Sequence, residues 1–160
     1  MTTLLLGMGN PILSDDGVGP RLAADFGRRL AGRPGLRVEA DCGVGGLELL
    51  DLLAGHDRVI VLDAIQAADP RPGHWHAFDA RALGETLNLN NVHDANFATA
   101  LELGRRLGLP LPELAAIHIF GVEIADACTF SEQMTPALEA GYPVYSAEIF
   151  GEVCRLLAGA

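Results

Sequence analysis

The sequence has no lysine: its 11 basic side chains are all arginine, set against 21 acidic ones for a net charge of −10 at pH 7. Without lysine there is no Schiff base, no pyridoxal-phosphate anchor and no ammonium for a phosphate-binding P-loop. The acidic excess makes nucleic acid and anionic membrane surfaces poor partners, because neither supplies countercharge. Neutral, cationic or metallic partners remain. Long apolar runs are also missing, since no stretch approaches the roughly 18 residues of a membrane span. The opening Thr2-Thr3-Leu4-Leu5-Leu6 lacks both the length and the basic lead-in of a signal peptide. The expected location is the cytoplasm, with no membrane partner. Cysteine is scarce and scattered: Cys42, Cys128 and Cys154 fit no metal-ligand spacing and read as reduced thiols. No Gly-x-Ser-x-Gly elbow occurs, and no other histidine is placed by the sequence to activate Cys42, so neither a serine triad nor a cysteine nucleophile is favoured.

What is present is a globular composition, 49% hydrophobic and 20% charged over 160 residues, a length that suits one domain over residues 1–160. A short apolar run from Thr3 to Met8 ends in a glycine turn and reads as a buried strand. After Ser14, taken as an N-cap, Val18, Leu22, Phe26 and Leu30 recur at the four-residue step of a helix face. Leu36 to Cys42 reads as a second strand, followed by a leucine-rich helix from Leu47 to Leu53. Arg58 to Ile65 is almost continuously apolar and branched, the mark of a central strand covered on both faces. Gly73 to Phe78 suggests a further strand, His93 to Leu107 a helix, and Ala115 to Glu123 another buried strand. Thr135-Pro136 is expected to form a turn or short helix closed by Gly141, and a last helix starts near Ser146. The order βαβαββαβα implies an α/β fold, a twisted, mostly parallel sheet of about five strands sandwiched between helices. Ligands in such sheets bind beyond the carboxyl ends of the strands.

Polar residues near those ends are therefore the candidates. Asp63 closes the most apolar strand, where a carboxylate costs desolvation energy unless a cation or hydrogen-bond donors face it; it is either a strand-end cap or part of a site. Asp15 and Asp16 follow the first loop, and one of them can serve the helix dipole while the other faces a site. His93 shares the face of Phe97 and Leu101, as a core histidine or a ligand. Asp16, Asp63 and His93 can converge at one sheet edge, and two carboxylates with an imidazole suit a divalent first-row metal. His74 and His76, two apart, can also chelate from one face of a strand, but with His56 and His118 they rank below His93. Gly7-x-Gly9 invites a dinucleotide reading, which Ile12 in place of the third glycine weakens.

The stretch Gly7-Met8-Gly9-Asn10-Pro11-Ile12-Leu13-Ser14-Asp15-Asp16-Gly17-Val18-Gly19 resembles the N-terminal signature of the nickel-iron hydrogenase maturation endopeptidases. The likeness continues through Asp41-Cys42-Gly43-Val44-Gly45-Gly46-Leu47, Val59 to Ile65 and His93. It implies an endopeptidase, often grouped with the aspartic type, that removes a C-terminal extension from the hydrogenase large-subunit precursor after nickel insertion. The implied nickel-recognition and catalytic residues are Asp16, Asp63 and His93, and the nickel arrives with the precursor. Asp41 and Gly43 fall in the implied substrate-recognition loop, where Cys42 and Val44 replace the usual glycine and threonine. These replacements, and Asn90-Asn91-Val92 before His93, bear on which large subunit is recognised. A carrier or assembly factor that binds nickel through the same residues without cutting is the alternative.

Overall fold

Six consecutive buried residues, Thr3–Met8, form β1, and it lies inside a five-stranded sheet rather than at its edge. The computed structural model describes residues 1–43, 46–84 and 92–159, residues 92–96 through their backbone alone. Beside β1 stand β2 (Leu36–Cys42), β3 (Arg58–Gln66), β4 (Trp75–Asp79) and β5 (Ile117–Ile124) in the order β2-β1-β3-β5-β4. All neighbours run parallel except β4, which pairs antiparallel with β5. Helices α1 (Val18–Arg29), α2 (Leu47–Leu53), α3 (Val92–Arg106) and α4 (Pro136–Ala158) cover the sheet.

Strand alternation assigns side chains to two cores. Ile60, Leu62 and Ala64 of β3 join Leu22 and Phe26 of α1 and Ile149 and Val153 of α4 on one face. Val59 and Val61 join Leu49 and Leu53 of α2 and Phe97 and Leu101 of α3 on the other. This double burial explains why β3 is apolar without a break until Asp63.

Two local expectations change. Ser14 does not cap a helix: it opens a 3-10 turn, Ser14–Gly17, and Gly17 is the N-cap of α1, without a side-chain cap bond. Ser14 sits at φ 51°, and its N–H is tied to Ser131 O at 2.8 Å. The C-terminal segment is one continuous helix of 23 residues despite Gly141 and Pro143 inside it. Leu138, Tyr142, Tyr145, Ile149, Val153 and Leu157 make an unbroken buried stripe along it, and that packing outweighs the bond lost at Pro143. Arg33 and Arg58 donate to the carbonyls of Leu157 and Leu156, closing its end. No helix among the described residues is long and apolar enough to cross a membrane.

The chain leaves β1 through α1 toward β2 on one side, and β3 lies on the other side of β1. The order therefore reverses between β1 and β3. At such a reversal the following loops diverge to opposite faces and open a crevice at the carboxyl ends.

Candidate active site

Two glycines press the loop after β1 onto that crevice. A Cβ at Gly19 would collide with the carbonyls of Met8 and Leu62, so the first turn of α1 rests on the ends of β1 and β3. Gly9, at φ 131°, lies against the carbonyl of Asp16, an approach that only glycine permits. The glycines of the Gly7-x-Gly9 motif thus serve close packing of the chain on itself, and this accounts for them without a dinucleotide.

The neighbouring acids divide. Asp15 is fully buried, and its carboxylate accepts from the N–H groups of Ala125 and Asp126, both at 3.1 Å, and from the N–H and hydroxyl of Thr135 at 2.6 and 2.9 Å. It ties the end of β5 to the start of α4. Asp16 is 6% exposed, and its Oδ2 accepts from Asn10 N–H at 2.7 Å. Among the described residues its Oδ1 accepts no hydrogen bond. Neither carboxylate caps α1.

Asp63 is 3% exposed, and its Oδ1 accepts from the N–H of Ala64 at 2.8 Å. It lies one residue beyond the Gly7–Leu62 pair of β1 and β3 and opposite Gly121 of β5. Alternation puts it on the face of Val59 and Val61, the face covered by α2 and α3. The turn carrying Asp16 packs against β3. His93 belongs to the first turn of α3; its side chain lies outside the described residues. The last turns of α3 lie at the opening end of the strands, where Gly104 packs on Leu50 and Leu111 and Gly55 N–H bonds Pro110 O. The helix therefore points its first turn toward the carboxyl ends.

Asp41 is the penultimate residue of β2 and is exposed; Gly43 follows the strand, also exposed. Between Leu6–Glu39 and Met8–Cys42 the register advances two residues on β1 and three on β2, a bulge that redirects the chain at Asp41. A Cβ at Gly43 would meet nothing within 4 Å, so packing does not demand glycine there. Val44 and Gly45 lie outside the described residues. Cys42 is buried among the sheet residues facing α2 and α3.

A cleft of about 690 Å³ opens on the other side of the Asp15–Asp16 turn, between Pro11, Gly17, Arg21, Met134 and Glu139. Neither Asp16 nor Asp63 lines it. Its rim is held by a paired Arg21–Glu139 contact at 2.6 and 3.0 Å, which keeps the Glu139 carboxyl below its ordinary pKa. Nearby, Ile12 and Phe130 flank the bridge of Leu13 to Ser131 and are exposed, Phe130 at 82%. No local pattern announces this pairing, because its partners are more than a hundred residues apart.

A protein-family model described as hydrogenase maturation protease matches residues 21–144. The chain belongs to the hydrogenase maturation protease family. The members of this family are peptidases. Hydrogenase 2 maturation protease of Escherichia coli (strain K12) is 36% identical over 73 residues, 46% of this chain and 44% of that relative. The matched segment thus spans less than half the length of that relative. The hydrogenase expression/formation protein HupD of Thiocapsa roseopersicina is 28% identical over 159 residues, 95% of this chain and 70% of that protein. Among solved structures, the hydrogenase maturating endopeptidase HybD from E. coli superposes with a TM-score of 0.79 at 25% identity, covering 97% of this chain and 93% of that one. The five-stranded, mostly parallel sheet between helices is the fold of these maturation proteases. Asp16 precedes the residues matched by the family model, whereas Asp41, Asp63 and His93 fall within them.

Proposed function

We propose that this chain is the endopeptidase that removes the C-terminal extension of a nickel-iron hydrogenase large-subunit precursor once nickel has been inserted. Asp16, Asp63 and His93 recognise the nickel, which belongs to the substrate and arrives held by thiolates of the precursor. The observation that carries this reading is the pair Asp16 and Asp63, nearly solvent-free at the strand-order reversal in a chain of this family. Two carboxylate oxygens and an imidazole nitrogen form a hard-to-borderline donor set that suits nickel, and Asp16 Oδ1 carries no competing hydrogen bond among the described residues.

In this reading, capture of the metal fixes the neighbouring scissile bond at the crevice and supplies the proximity term of catalysis. Water attacks the peptide carbonyl: either a carboxylate at the site accepts its proton and passes it to the leaving amine, or the metal lowers the pKa of a water bound to it, which gives its proton to a base before attack. A precursor without nickel lacks the anchor, so cleavage reports that insertion is complete. Asp41 and Gly43 meet the precursor at the end of β2, and the apolar pair Ile12 and Phe130 offers it a docking surface. The reaction belongs to the cytoplasm.

Intact-mass measurement of a nickel-loaded precursor after incubation with the purified chain tests the reaction. Loss of a C-terminal peptide is expected. A precursor of unchanged mass that gains or loses nickel would replace the peptidase reading with that of a carrier.

A further inference from the structure

A second set of metal-type donors lies at the far edge of the sheet. Glu123 is almost fully buried near the carboxyl end of β5, with a side chain only 6% exposed. Its Oε1 lies 2.9 Å from His76 Nε2, and its Oε2 accepts Arg71 N–H at 2.8 Å. His76 pairs with Gly121 across the antiparallel β4–β5 ladder. Past the strand end the pairing closes in a bulge in which Gly73 and His74 both face Glu123, since Glu123 N–H bonds His74 O at 2.8 Å and Gly73 N–H bonds Glu123 O at 3.0 Å. His74 is therefore opposite Glu123, and all three side chains share one face. The two imidazoles are 4.9 Å apart between centroids, and one donor atom from each of the three residues lies within 4.8 Å of the others.

We propose that His74, His76 and Glu123 form a binding site for a divalent first-row transition metal, separate from Asp16 and Asp63. Tetrahedral coordination at about 2.0–2.2 Å separates donors by about 3.3 Å, so the Nε2 to Oε1 gap has to open by only a few tenths of an ångström. His74 is exposed, beside the His76 ring, and a turn of its side chain closes the third side. The competing guanidinium of Arg71, 3.8 Å from Oε1, is 68% exposed and withdraws into solvent without leaving a buried charge. Two imidazoles and one carboxylate favour Zn²⁺, Ni²⁺ or Cu²⁺ over Mg²⁺ or Ca²⁺, and the exposed side leaves a position for water. The metal replaces the His76–Glu123 hydrogen bond and ties the start of β4 to the end of β5.

The site is distinct because Asp63 and His76 lie on either side of Gly121, one strand away each, which puts their backbones about 10 Å apart. The side chain of Ile65 covers Gly121 between them. This inference does not depend on the proposed reaction.

Titration calorimetry with Ni²⁺ alone and with Zn²⁺ alone tests it on the full chain carrying Asp16→Asn and Asp63→Asn, which isolates the edge site. Saturable binding of one equivalent is expected. Adding His74→Ala, an exposed position that spares the fold, weakens binding by about tenfold or more, and His76→Gln abolishes it. In the otherwise unaltered chain, Zn²⁺ shifts the ring resonances of His74 and His76 together. Binding that is indifferent to His74→Ala and His76→Gln, or rings untouched by Zn²⁺, would overturn the site and leave only a His–Glu hydrogen bond.

Discussion

Asp15 and Asp16 stand side by side on one 3-10 turn and are both buried, yet the structure uses them in opposite ways. The Asp15 side of the turn faces the start of α4, and four donors from three distant residues converge on its carboxylate. The turn also packs on β3 beside the strand-order reversal, and Asp16 has the single N–H of Asn10 on its carboxylate among the described residues. Burial costs both charges the same kind of desolvation energy, which four donors offset at Asp15 and only one at Asp16 among the described residues. A buried carboxylate with lone pairs to spare is suited to a cation that arrives from outside. Asp15 is thus bound into the fold while Asp16 keeps an oxygen for the proposed metal, although sequence position and burial do not distinguish them.

Substitutions that separate these roles have effects of different size. The largest belongs to Asp16→Asn and Asp63→Asn, each expected to lower precursor cleavage by about 10²- to 10⁴-fold while leaving the melting temperature unchanged or slightly raised. Cleavage assays paired with thermal melts check both halves. A large loss of stability in Asp16→Asn would erase the distinction from Asp15. Next, Asp15→Ala strands the donors of Ala125, Asp126 and Thr135, at a cost of about 3–5 kcal/mol, or about 10 °C in melting temperature. Whatever fraction of that variant remains folded should still cleave, as chemical denaturation and activity at low temperature will reveal.

A smaller effect follows from Phe130→Asp on the exposed loop. It leaves stability untouched and weakens precursor binding by about tenfold, seen as a rise in KM with kcat retained. The smallest concerns His118 on β5, half-buried and remote from the turn. Burial, helped by the charge of Arg58 and opposed by Asp79, lowers its pKa below the ordinary value. The unfolded chain then binds the proton first as pH falls. The contribution of His118 to stability is present above the unfolded pKa of about 6.5 and is lost as pH drops through it toward the folded value. Urea midpoints of wild type and His118→Gln, compared at neutral and mildly acidic pH, should show a shallower decline in the variant.

Much of the fold was legible because strand and helix patterns here are local. The bounds of β1 and α2 follow from apolar runs ended by glycine, those of β2 from apolar residues alternating with charged ones up to Gly43, and the continuous apolar character of β3 reports its cover on both faces. The C-terminal helix reads too short from sequence because Gly141 is a local signal of a break. The stripe from Leu138 through Tyr145 to Leu157 was there to be read, but its dominance depends on packing against the sheet. Ser14 looked like a cap for the same reason: its tie to Ser131 lies far along the chain. Near the crevice, the burial of Asp63 at a strand end and of the Asp15–Asp16 pair after the first loop was legible. The division of labour between Asp15 and Asp16 was not, since it is set by Thr135 and Asp126 more than a hundred residues away. Glu123 was hidden likewise: its partners His74 and His76 are brought to it by an antiparallel edge pairing that no local pattern announces.

In the proposed function Asp16 and Asp63 read a metal carried by the substrate. Cleavage of nickel-loaded and nickel-free precursor by the same enzyme, followed side by side by intact mass, tests it most directly. Only the nickel-loaded precursor should be shortened, and Asp16→Asn or Asp63→Asn should remove that difference by suppressing cleavage. Equal shortening of both precursors by the unaltered enzyme would contradict it.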